Sequence, residues 1–205
     1  MDATIGFLAG LFDDAGIEVI ALCLGIINVG LLMRRSIWNY PFGIAMVSLY
    51  AFIFYEARLY SDMLLQGFFF AIQIYGWWYW AQNLQENGHI HVRRLHWSGY
   101  PGFALAALIG VMVLGTFMSR FTDADLAYWD ATTTVLSVIA TMLLARRYLE
   151  NWIVWIIVDV LAIGIYYAKG LYPTAVLYLI FLAMASGGLV MWWRAMATQE
   201  TSYEH

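Results

Sequence analysis

Residues 146–168 read RRYLENWIVWIIVDVLAIGIYYA, and between Arg147 and Lys169 only Glu150 and Asp159 carry charge. A run of about 20 mainly apolar residues is what an α-helix needs to cross a hydrocarbon core about 30 Å thick. An outer-membrane strand would instead show about 10 residues of strict alternation, whereas here apolar side chains fall on every side. The paired arginines mark one membrane edge. Asp159 follows Arg147 by 12 residues, which places it roughly 18 Å deep at about 1.5 Å per residue. The stretch predicts a spanning helix with one carboxylate near the midplane.

The same pattern recurs along the chain. Charge-poor segments run from 17 to 33, 37 to 55, 61 to 80, 101 to 118, 127 to 145, 149 to 168 and 171 to 193, which predicts seven transmembrane helices. Of the 205 residues, 63% are hydrophobic and 12% charged, against roughly 45–50% and about 25% in soluble domains. A soluble globule of this composition would lack a surface. The single Cys23 excludes a disulfide scaffold, and a net charge of -4 with no basic run excludes a nucleic-acid binder. With Asp2, Asp13, Asp14 and Glu18 near its start, the N-terminal stretch is not expected to be a signal peptide.

Alternating the loops between sides puts Arg34, Arg35, Arg93, Arg94, Arg146, Arg147 and Arg194 on one face and Arg58, Arg120 and Lys169 on the other. The cation-rich face is expected to be cytoplasmic, which puts the N-terminus outside and the C-terminus inside. Trp38, Trp77, Trp78, Trp80, Trp97, Trp192 and Trp193 lie beside the cytoplasmic arginines, as an interfacial belt would. The connection from Gln82 to Tyr100 carries His89, His91 and His96. Without a carboxylate or Cys ally it reads as a solvated linker rather than a metal site. The polar tail from Ala197 onward reads as disordered.

Offset by 112 residues, the chain matches itself: Arg34-Arg35 falls on Arg146-Arg147, Asn39 on Asn151, Tyr40 on Trp152, Tyr55 on Tyr167, Leu59-Tyr60 on Leu171-Tyr172, Gly76 on Gly188 and Trp80 on Trp192. Each half is a three-helix unit. Three being odd, a directly fused copy would be inverted, and the fourth helix restores its orientation. The expected plan is an all-α membrane protein with two parallel three-helix repeats, 17–80 and 127–193. Between them, 81–126 holds a cytoplasmic loop, linker helix and outer loop, and 194–205 forms a cytoplasmic tail. Internal repeats of this kind are common in transporters, with the substrate bound near the midplane between them.

Polar side chains at membrane depth are costly and mark function. Asp159 and Gln73 are the deepest, while Asn39, Asn151 and Asn28 lie nearer the cytoplasm. On the sixth helix Trp152, Trp155, Asp159, Ile163 and Tyr166 share a face by their steps of three and four. Asn39, Gly43, Met46 and Tyr50 form a stripe on the second helix, and Gln66, Gln73, Gly76 and Trp77 one on the third. Aromatic walls, amides and one carboxylate suit a small aromatic or cationic solute bearing hydroxyls. The same residues admit structural readings: Trp152 and Trp155 as interfacial belt, Gln73 as interhelical glue, Asp159 as partner of a helix end or of Tyr50. No base, nucleophile or metal set is grouped within the spans, so neither catalysis nor a cofactor is expected.

At Asn39 to Gly43 (NYPFG), Gln73 to Trp80 (QIYGWWYW) and Trp152 to Asp159 (WIVWIIVD), the chain resembles the PnuC family of bacterial vitamin transporters. The resemblance extends over all seven spans. It implies a 3+1+3 fold like that of the sugar-transporting SWEET proteins, in the bacterial cytoplasmic membrane, and facilitated diffusion of nicotinamide riboside. It also implies a homotrimer and a separate cytoplasmic kinase that traps the vitamin. By the same resemblance Trp152 and Trp155 are the motif aromatics, Asp159 the polar member after them, and Asn39 and Gln73 the amides of the first half; the helix stripes add Tyr50, Trp77 and Tyr166 as further lining. Thiamine, riboflavin and proton-coupled transport remain as alternatives.

Overall fold

The computed structural model describes residues 14–56, 60–84, 90–122 and 126–201. Among them are seven α-helices: α1 (Asp14–Met33), α2 (Asn39–Glu56), α3 (Tyr60–Ala81), α4 (Tyr100–Phe121), α5 (Ala127–Ala145), α6 (Glu150–Ala168) and α7 (Tyr172–Thr201). By length and composition the stretches Trp97–Phe121, Ala127–Ala145, Glu150–Ala168 and Thr174–Gln199 can each cross a membrane, and α1 carries the shorter apolar run Val19–Met33. α1 begins and α4 ends three residues beyond the expected bounds, and α7 departs furthest. It continues to Thr201, so residues 197–201 are helical rather than a disordered tail. Asp2, Asp13, Arg58, His89, Asp123 and Asp125 lie outside the described residues.

The chain forms two compact units, one ending at Ile90 and the other beginning at His91. In the first, α2 packs on both α1 and α3; in the second, α6 packs on both α5 and α7, and α4 lies against α5. The segment 81–126 is therefore divided, with α4 belonging to the second unit by its packing.

Each unit is held by the same devices at the matched positions. Arg35 and Arg147 both take the left-handed conformation, with φ of 57° and 66°. They end α1 and α5 in Schellman turns: Arg35 N–H donates to the Leu32 carbonyl and Ser36 N–H to Leu31, as Arg147 N–H does to Leu144 and Tyr148 N–H to Leu143. A side chain in that conformation costs about 1–3 kcal/mol, but the turn satisfies carbonyls that would otherwise be orphaned. Asn39 Nδ2 then donates to the Ser36 carbonyl at 2.7 Å and Asn151 Nδ2 to the Tyr148 carbonyl at 2.6 Å. The matched asparagines thus close the turns that launch α2 and α6.

Aromatic rings lock α3 to α2 in the first unit and α7 to α6 in the second. Tyr40 meets Trp80 edge-on with centroids 5.1 Å apart, and Trp152 meets Trp192 edge-on at 5.7 Å. All four rings are buried. Trp80 and Trp192 are therefore packing residues and not members of an interfacial belt, whereas Trp38, Trp77, Trp78, Trp97 and Trp193 are exposed. Glycine makes the approach possible. A Cβ on Gly76 would stand 2.6 Å from the Tyr40 hydroxyl, and one on Gly188 2.5 Å from the Trp152 ring.

The segment after Ile90 is not a solvated linker. Ile90 and Val92 are buried. Arg93 pairs with the α5–α6 turn in both directions, its N–H on the Arg147 carbonyl and its carbonyl receiving the Leu149 N–H, while its guanidinium lies over the Tyr148 ring. The Glu150 carboxylate accepts from Leu95 N–H at 3.1 Å and from the Tyr100 hydroxyl at 2.9 Å. Glu150 is 5% exposed, so these bonds satisfy a charge that would be costly to bury alone.

Because an added methyl meets a ring rather than a flexible chain end, Gly188→Ala is expected to lower stability by about 1–3 kcal/mol. Gly164→Ala, which meets nothing within 4 Å, should leave it unchanged or slightly raised. Thermal unfolding of the two variants in detergent checks this. Equal midpoints would show that the ring tolerates the methyl.

Candidate functional site

In the first unit the polar side chains gather about Gly43. A Cβ there would collide with the Gln73 carboxamide and stand 2.7 Å from Asn28 Nδ2, so α1, α2 and α3 each bring one member to a single spot. Asn28 is buried, and its Nδ2 donates to the Asn39 carbonyl at 2.6 Å. That bond ties α1 to the first turn of α2. Gln73 is half-buried and has no hydrogen-bond partner among the described residues. Tyr50 stacks on Phe54 at 6.0 Å, two turns further along α2. Trp77 is exposed, unlike its neighbour Gly76.

In the second unit the α6 stripe turns inward. Trp152 and Asp159 are buried and Trp155, Ile163 and Tyr166 half-buried, while Ile153, Ile157 and Val160 on other faces are exposed. The charge is thus withdrawn from the apolar outer surface. Asp159 is 4% exposed and has neither hydrogen bond nor ion pair with any described residue. Lys169 is occupied elsewhere, by Asp130 at 3.3 Å. An ionised carboxylate held out of water without a partner is costly, and a bound cation would relieve that cost. Trp155, one turn earlier on the same face, has no ring partner among the described residues. Tyr166 stacks on Tyr178 of α7 at 5.3 Å.

The sequence candidates therefore separate by what already engages them. Asn39 and Trp152 are consumed by the fold: the Asn39 amide closes a turn, and the Trp152 ring is wedged between Trp192 and Gly188. What Trp152 retains is its Nε1–H, buried without a hydrogen-bond partner among the described residues. Gln73, Trp155 and Asp159 are open. Asn28 belongs with Gln73, although its distance from the mid-membrane hid that in sequence; the signal was an amide one helix away from a glycine flanked by others. Among the described residues no cluster of His, Cys, Asp or Glu could hold a metal ion.

Comparison with known proteins identifies the family. A profile of the family described as nicotinamide mononucleotide transporter matches residues 15–194. The chain is 32% identical to the nicotinamide riboside transporter PnuC of Escherichia coli strain K12, over 90% of this chain and 87% of that one. It is 26% identical to the riboflavin/roseoflavin transporter RibM of Streptomyces davaonensis, over 89% and 88% of the two. Its structure is similar to the crystal structure of the vitamin B3 transporter PnuC, with a TM-score of 0.75 and 25% identity over 95% of this chain and 88% of that chain. The chain belongs to the nicotinamide mononucleotide transporter family, the multi-pass membrane transporters that include PnuC, and is not an enzyme.

Proposed function

We propose that the protein carries nicotinamide riboside across the bacterial cytoplasmic membrane by facilitated diffusion, through alternating access of its three-helix halves. The observation that carries this reading is Asp159, a buried carboxylate with no partner among the described residues, one turn from the open indole of Trp155. Nicotinamide riboside is a pyridinium cation on a ribose. A carboxylate answers the charge, an indole face the flat ring, and the Gln73 amide a hydroxyl or carboxamide. The phosphorylated mononucleotide fits less well. It adds up to about two negative charges, and the candidate set contains no Lys or Arg to receive them. Neutral riboflavin would leave Asp159 uncompensated.

The distribution of arginines supports an outer N-terminus and a cytoplasmic C-terminus. The apolar outer face of α4, where Leu105, Leu108, Ile109, Met112 and Val113 are exposed, supports contact with lipid or with further copies in a homotrimer. Facilitated diffusion alone builds no gradient, so accumulation would need a cytoplasmic kinase acting on the vitamin.

Purified protein in liposomes is expected to take up labelled nicotinamide riboside saturably, with thiamine and riboflavin competing weakly and the mononucleotide weakest. Preference for thiamine or riboflavin would reassign the substrate. The buried carboxylate also supports a second reading, proton coupling. Uptake driven by an imposed pH gradient would favour it over facilitation.

Asp159→Asn removes the charge while keeping the shape. It is expected to weaken nicotinamide riboside binding about tenfold or more, as loss of a charge-assisted contact of roughly 1.5–3 kcal/mol would, without lowering thermal stability. Trp fluorescence titration against the unfolding midpoint separates the two. A stability loss with unchanged affinity would make Asp159 a structural residue.

A further inference from the structure

The two halves keep one framework and differ just inside it. At the same offset of 112 residues, Asn28, Gly43 and Gln73 of the first unit correspond to Ala140, Trp155 and Ala185 of the second. The three positions have exchanged volume as a set. In the first unit the α2 position is bare, and two carboxamides converge on the vacated space. In the second the α6 position carries an indole, and the matching α5 and α7 positions are alanines at 0% and 3% exposure. A compensated triple exchange gives one half a polar recognition surface and the other an aromatic one.

Asn28 is fixed more firmly than Gln73. One of its N–H groups is committed to the Asn39 carbonyl, and that carbonyl sits in the turn held by the Asn39 side chain. The Gln73 carboxamide, without a hydrogen-bond partner among the described residues, lies against the space over Gly43 that Asn28 borders. Gly43 itself sits in an interior turn of α2, where glycine costs about 0.5–1 kcal/mol relative to alanine. Its presence answers to space and not to helix formation.

We infer that Asn28 and Gly43 determine substrate specificity in the first half: Gly43 by leaving the gap that admits the Gln73 carboxamide, and Asn28 as a positioning residue that orients that carboxamide toward a hydroxyl- or carboxamide-bearing edge of a nucleoside. This rests on the proposed function, since Gln73 must touch the substrate for its orientation to matter. If Gly43 serves only to bring helices together, its replacement changes stability and leaves recognition alone.

The test is a double-mutant cycle on the full-length protein in detergent, with nicotinamide riboside, thiamine and riboflavin as probes and thermal unfolding measured in parallel. Gly43→Ala is expected to weaken nicotinamide riboside binding about tenfold in the wild-type background and less than about threefold when Gln73→Ala is already present, which is the signature of coupling. Asn28→Ala should lose several-fold in affinity and likewise add little to Gln73→Ala. Should Gly43→Ala unfold, the Asn28 cycle alone decides. Losses that add independently of Gln73, or coupling seen in stability but not in affinity, would overturn the inference. If the wild type instead binds thiamine or riboflavin, the substrate assignment fails while the same cycle, read with that vitamin, still decides the roles of Asn28 and Gly43. Binding of none of the three by the wild type overturns both.

Discussion

The close approach of an aromatic ring to a glycine backbone is the contact on which the rest of the structure depends. Lipid tails are as apolar as leucine, so helices in a bilayer associate through packing and polar contacts rather than through the hydrophobic effect. Tyr40 against Gly76 and Trp152 against Gly188 supply that packing once in each unit. Each ring also meets a second aromatic edge-on, which adds about 0.5–1.5 kcal/mol beyond the area buried. With these pairs in place, α2 and α6 become the central helices against which α1, α3, α5 and α7 are laid.

The turns before α2 and α6 complete the frame. In both, an arginine adopts a conformation that glycine would take more readily. Arginine at that place reconciles two demands, a tight hydrogen-bonded end to the preceding helix and a cation at the membrane edge. In the second unit the turn has a further use, since the chain after Ile90 pairs with it and is fastened by Glu150. Of the connection that reads as a solvated linker, the part from Ile90 to Leu95 belongs to the fold, with Ile90 and Val92 buried.

Function then lies in what the frame leaves unengaged. Residues matched between the halves, such as Asn39 with Asn151 and Tyr40 with Trp152, are occupied by turns and packing. Residues that break the match, Gln73, Trp155 and Asp159, lack hydrogen-bond or ring partners among the described residues. The repeat thus separates positions engaged in the frame from positions left unengaged.

Helix number and most span limits were legible in the order of residues. They follow from one-dimensional rules: the length needed to cross a bilayer, the cost of charge within it, and helical periodicity. The inward stripe on α6 was legible for the same reason. Whether a polar or aromatic residue was already engaged was not, because that depends on atoms from helices distant in sequence. Trp80 and Trp192 resemble belt residues until their ring partners are seen, and Asn39 resembles a ligand until its amide is found on the Ser36 carbonyl. Sequence alone determined which residues are too polar for the membrane. Only the tertiary structure decided which of them the protein satisfies itself and which it leaves unengaged, because hydrogen bonds and ring contacts are made across helices and carry no signature along any one of them.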